Sequence, residues 1–63
     1  MYHPGDELIY ILEGRLEMTI VDEVYILETG DSLCFKSHLP HRWKNIGTDD
    51  AKVIWTLSPF TII

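Results

Sequence analysis

The chain is poor in the features that would stabilise a small domain from outside its core. Cys34 is the only cysteine, so no disulfide can form within the chain. Basic residues are scarce as well: 5 Lys and Arg stand against 10 Asp and Glu, for a formal net charge of −5. A negative domain repels phosphate backbones, which argues against direct nucleic-acid binding. Long apolar runs are missing. The longest, Leu8–Leu12, falls far short of the about 20 residues a membrane-crossing helix needs, so no membrane contact is expected. Met1-Tyr2-His3-Pro4 has neither the basic start nor the apolar stretch of a secretory signal. Together with an unpaired thiol, this makes the cytoplasm the expected compartment.

What is present has to fold with little help. With 63 residues the expectation is one domain spanning 1–63. A chain this short buries only about 60% of its unfolded surface, so a metal, a partner subunit or a very apolar core must add stability. The hydrophobic fraction of 46% is that of a globular domain rather than a disordered one.

The pattern is one of short strands. Leu8-Ile9-Tyr10-Ile11-Leu12 is apolar at every position and too short for a stable helix, and reads as a strand buried on both faces. A tight turn at Glu13-Gly14 follows. Arg15–Ile20 then alternates, with Leu16, Met18 and Ile20 on one face and Arg15, Glu17 and Thr19 on the other, as in a half-buried strand. Asp22-Glu23 reads as the next reversal, Val24–Leu27 as the next strand, and Thr29-Gly30-Asp31 as a turn ahead of Ser32–Phe35. After a loop at 36–40, His41, Trp43 and Asn45 share one strand face and Arg42 and Lys44 the other. A turn within 45–50 leads to a last strand, Ala51–Leu57. No segment sustains helical periodicity with caps, and about six strands with frequent turns predict an all-β sandwich or barrel.

Three side chains carry candidate chemistry: His3, Glu7 and His41. Two imidazoles and a carboxylate suit a divalent first-row metal and can fill one face of its coordination shell. Four residues of flat strand span about 13 Å, so His3 and Glu7 can share an ion only if the chain bends between them. Pro4-Gly5 supplies that bend. Tyr10, Trp43 and Asn45 are the candidate ligand-pocket residues. Trp55, Tyr25, Phe35 and Met18 read as core, with some turned inward to any pocket. Cys34 is expected to pack as a small hydrophobe, and His38 to sit in an exposed loop.

These residues fall into a recognisable pattern. His3-x3-Glu7-x6-Gly14 resembles the second half of the first cupin motif, G-x5-H-x-H-x3,4-E-x6-G. Gly30-x5-Lys36-x-His38-x2-His41-x3-Asn45 resembles the second, G-x5-P-x-G-x2-H-x3-N, with Lys36 and His38 in place of Pro and Gly. The resemblance implies a small, jelly-roll-like cupin β-barrel in which His3, Glu7 and His41 bind a metal such as Zn, Ni, Mn or Fe. Met1 stands where the family's first histidine would fall. The wording of His3–Glu7, Tyr10–Gly14, Gly30–Ser32 and Pro40–Asn45 is most similar to the C-terminal cupin domain of helix-turn-helix transcriptional regulators. That likeness implies a module that senses a small molecule and dimerises, here without a DNA-binding domain.

Strands that usually precede the first motif have no counterpart in the chain, so an open barrel edge, completed in a homodimer, is expected. Apolar Ile62-Ile63 would favour the same burial. A metal-dependent cupin enzyme of isomerase or oxygenase type ranks second, because Glu7 and His41 would already be committed as ligands.

Overall fold

The computed structural model describes residues 5–58. Six strands follow in chain order: β1 (Asp6–Glu13), β2 (Arg15–Ile20), β3 (Glu23–Glu28), β4 (Ser32–Lys36), β5 (His41–Asn45) and β6 (Lys52–Ser58). They form two three-stranded antiparallel sheets, ordered β4-β1-β6 and β3-β2-β5. No helix occurs among the described residues, and none is long and apolar enough to cross a membrane. The all-β expectation holds. The barrel is not closed, since each sheet keeps two edge strands among the described residues.

The core lies between the sheets. Ile9, Ile11 and Phe35 come from one side and Leu16, Met18, Ile20 and Leu27 from the other, all buried. Leu16, Met18 and Ile20 thus point inward as expected, whereas Thr19, expected on the solvent face, is also buried at 5% exposure. The expectation for Leu8–Leu12 needs correction. Ile9 and Ile11 are fully buried, but Leu8, Tyr10 and Leu12 project from the opposite face and stay 38–49% exposed. One face of β1 is core and the other is uncovered among the described residues. Cys34, paired with Leu8, shares that outer face and is exposed rather than packed.

Turns carry the corrections and much of the order. The β2–β3 reversal falls at Val21-Asp22, not Asp22-Glu23, and β3 already begins at Glu23. Val21 adopts a φ of 56°, and its N–H donates to the Pro40 carbonyl at 2.8 Å, which ties this hairpin to the loop before β5. Gly14 takes a φ of 110° at the β1–β2 turn, where an added Cβ would lie 2.9 Å from Ala51. Only glycine fits there. The turn before β4 is locked from both sides: Asp31 N–H donates to the Glu28 carbonyl, and Glu28 N–H to the Asp31 carboxylate, each at 2.8 Å.

Candidate functional site

The β1 and β5 ends nearest the bend at Gly5 bring Glu7 and His41 together. Glu7 faces inward because it keeps the period-two phase of Ile9 and Ile11 on β1, and it is paired with Phe35 on β4 and Leu57 on β6. Its side chain is only 11% exposed. His41 opens β5 opposite Ile20, a core residue of β2, and cross-strand partners project to the same face. Register, not proximity in sequence, sets the pair.

Each side chain is held. The Trp55 indole N–H donates to Glu7 Oε1 at 2.7 Å. His41 Nδ1 lies 2.8 Å from the Leu39 carbonyl oxygen. A carbonyl can only accept, so Nδ1 donates this bond and Nε2 is the ring nitrogen turned toward Glu7. That nitrogen lies 3.9 Å from Glu7 Oε2, too far for a direct hydrogen bond. The Phe35 ring packs against both partners, with centroids 5.0 Å from His41 and 6.4 Å from Trp55. The Glu7 carboxylate and His41 Nε2 therefore face each other across a narrow gap, with the Phe35 ring beside His41. Nε2 and a carboxylate oxygen, each bonding a metal at about 2.0–2.2 Å, suit one shared ion across such a gap. The Leu39 carbonyl is the outer partner that such an imidazole ligand needs.

His3, the expected third donor, lies outside the described residues, as do Pro59, Phe60, Ile62 and Ile63. Among the described residues, no group of three His, Cys, Asp or Glu side chains gathers to hold an ion. The donor set on view is Glu7 and His41.

The three candidate pocket residues part company. Tyr10 sits on the outer face of β1, one step out of phase with Glu7 and Ile9, and does not face the gap. Asn45 lies opposite Leu16, but its amide is engaged locally: Oδ1 accepts from Gly47 N–H at 2.9 Å and Nδ2 donates to the Asp49 carbonyl at 3.0 Å. It latches the loop before β6. Trp43 lies opposite Met18 on the core-facing side of β5, yet it remains 58% exposed because β5 is an uncovered edge among the described residues. With Leu16, Ala51, Val53 and Trp55 it lines a hollow of about 110 Å³ between β5 and β6. A loop carbonyl is the expected partner of a His at this strand start, and Leu39 supplies it; Trp55 as a partner of Glu7 was not anticipated from the sequence. The Val53, Trp55 and Leu57 alternation carries a signal for Trp55, but nothing local names Glu7 as its partner.

Comparison with known proteins agrees with this architecture. The family model described as "Cupin domain" matches residues 1–57, and the chain belongs to that family. It is 36% identical over 59 residues to the polyketide synthase protein CurC of Streptomyces cyaneus, which covers 92% of this chain and 38% of that protein. Protein SchB of Streptomyces halstedii is 32% identical over 59 residues, covering 92% of this chain and 43% of that protein. The HTH-type transcriptional regulator PuuR of Escherichia coli is 30% identical over 59 residues, covering 94% of this chain and 32% of that protein. The chain therefore spans less than half the length of these curated relatives. No solved structure matches it significantly.

Proposed function

We propose that this cupin domain is a binding module for a small molecule, with a divalent transition metal (Zn, Ni, Mn or Fe) held by Glu7 and His41 and joined by His3. The supporting observation is the facing pair itself: a Glu7 carboxylate oxygen and Nε2 of an imidazole oriented by the Leu39 carbonyl, 3.9 Å apart. When bound, the ion would offer a small ligand open coordination positions. The chain's own contribution is orientation. Trp55 holds the Glu7 carboxylate, the Leu39 carbonyl orients the His41 ring, and Phe35 packs beside His41 and Trp55.

In this reading the domain is the sensing and dimerising part of a larger regulator or a free-standing relative. The likeness to PuuR supports that setting. Four edge strands uncovered among the described residues and the exposed outer face of β1 support a homodimer. A net charge of −5 leaves contact with nucleic acid to another part of any such protein.

A metal-dependent enzyme is the second reading, favoured by the likeness to the polyketide synthase protein CurC. It ranks lower because the two side chains suited to acid–base chemistry in the gap are the proposed ligands. Metal analysis of protein purified without chelators, beside His41→Ala and Glu7→Gln, tests the site. Near-stoichiometric metal in the parent, lost in both variants, is expected. Metal content unchanged by either substitution would remove the proposal.

A further inference from the structure

Among the open edges of the described residues, β6 is the one that suits its own copy along its whole length. From this we infer that the domain pairs β6 against β6 of a second copy, antiparallel about a twofold axis through Trp55. The inference rests on the homodimer in the reading above and names the strand that forms it.

The backbone of β6 is turned the right way. Ile11 N–H donates to the Asp31 carbonyl at 2.9 Å, and the Ile11 carbonyl accepts from Gly30 N–H at 2.8 Å. Ile11 therefore faces the β4 side of its sheet, and so do Ile9 and Glu7 by the alternation of an antiparallel ladder. Leu8 and Tyr10 face β6 instead, and their partners Thr56 and Ile54 bond back to β1. The N–H and C=O groups of Val53, Trp55 and Leu57 are left directed at the open side.

Charge then selects the occupant. Pairing about Trp55 sets Val53 opposite Leu57 and Ile54 opposite Thr56, and it uses all 7 residues of the strand. Lys52, the strand's one charge, falls opposite Ser58 of the copy and keeps Glu13 at 3.7 Å. The other edges suit a copy less well. On β5 an antiparallel copy sets Arg42 against Lys44, and on β3 it brings the terminal glutamates Glu23 and Glu28 together. Like charges placed opposite each other destabilise a pair of strands and guard an edge against pairing. β4 offers only 5 residues.

The surroundings agree with the edge. The hollow behind β6 is lined by Leu16, Trp43, Ala51, Val53 and Trp55, with no charged side chain. The cleft at the opposite seam, between β3 and β4, is lined by Asp6, Asp22, Glu23 and Lys36 besides apolar residues. Exposed Ile54 and Leu57 on β6 lose water when a strand is added beside them. The uncharged side of the sandwich is thus the side that a copy covers.

Light scattering over a range of protein concentrations should find the parent dimeric. Leu57→Pro removes an outward N–H and leaves the bonds to β1 intact, so it should weaken the dimer by at least about tenfold while circular dichroism keeps the β signature. Leu8→Lys, on the outer face of β1, should leave the dimer unchanged. A second arm stands even if Leu57→Pro fails to fold. Positions 54 and 56 of the copy face each other as a non-hydrogen-bonded pair, with Cα atoms about 4.5 Å apart, which a disulfide can span. Ile54→Cys and Thr56→Cys, each with Cys34→Ser, should therefore form the mixed disulfide in preference to either homodimer when combined and oxidised with copper phenanthroline. A dimer that survives Leu57→Pro would overturn the pairing, as would one lost in Leu8→Lys, a mixed disulfide no more frequent than chance, or a monomeric parent. Metal content separates the two levels of inference. Any of these failures, with metal still lost on His41→Ala, leaves the metal site standing, and a β6 dimer without metal leaves the pairing standing alone.

Discussion

Glu7 accepts a 2.7 Å hydrogen bond from the indole of Trp55, 48 residues further along the chain. This contact joins the first strand to the last in the one sheet they share, and it aims the second carboxylate oxygen of Glu7 at His41. One side chain thus serves the packing of the sheet and the geometry of the proposed site. The two roles can be separated by substitution.

Glu7→Ala leaves the part-buried Trp55 N–H without its acceptor. Such an orphaned donor costs about 1–3 kcal/mol, so chemical denaturation should show a clear loss of stability. Glu7→Gln keeps an acceptor oxygen and should lose less, while giving up the charge that a cation at His41 would need. Equal stability of the alanine variant and the parent would show that the indole is satisfied in some other way.

Gly14 tests the β1–β2 turn. Its φ of 110° is strained for any residue with a side chain, and the new Cβ of Gly14→Ala would meet Ala51 backbone at 2.9 Å. Backbone strain alone is of order 1–3 kcal/mol, and the close approach adds to it. Thermal melts should therefore place Gly14→Ala well below the parent. Gly30→Ala, with a φ of 92° but nothing within 4 Å of the new Cβ, should fall less far. If the two variants melt together, the Ala51 contact contributes nothing.

How far these features could be read in the sequence depended on whether their cause was local. Leu16, Met18 and Ile20 alternate with polar residues, so their inward face was legible and is buried. Leu8–Leu12 offers no polar residue to mark an outside, and the outward turn of Tyr10 was missed for that reason. Inner-face membership of Trp43 was legible from its phase with His41, but its exposure was not, because that depends on which strands fail to cover β5. The link from Glu7 to Trp55 rests on the β1–β6 register, which no neighbouring residue encodes. Asn45 is the opposite case. An Asn two residues before Gly47 is a local turn signal, and its amide is spent in that turn.

Tyr25 offers a test by pH. Its hydroxyl donates to Glu23 Oε1 at 2.7 Å, and that hydrogen bond, with partial desolvation and the nearby negative charge, raises the phenol above its ordinary value of 10.0. The raised folded value means that the contact's stabilisation is fully present below the unfolded pKa and is lost as pH climbs through the folded one. Glu23→Ala should return Tyr25 toward the ordinary value. Phenolate absorbance followed through alkaline pH, with Tyr25→Phe to assign the transition, reads this directly. An unchanged Tyr25 transition in Glu23→Ala would show that the contact does not persist in solution.

Val21 is the non-glycine residue held at positive φ among the described residues. With Asp22 it forms the two-residue β2–β3 turn, and hairpin turns with positive φ at the first position favour glycine there. A β-branched side chain is among the least suited to that conformation, at a cost of roughly 1–2 kcal/mol. Little packing offsets it, since Val21 is 47% exposed. The hydrogen bond from its N–H to Pro40 survives any substitution except proline. Glycine gives back part of the gain through the greater freedom of its unfolded chain, about 0.5–1 kcal/mol. Val21→Gly should still raise stability by several tenths of a kcal/mol to about 1 kcal/mol in chemical denaturation, with Val21→Pro strongly destabilising as the control. A fall in stability for the glycine variant would mean that the Val21 side chain packs against something beyond these strands, such as the surface of a second copy.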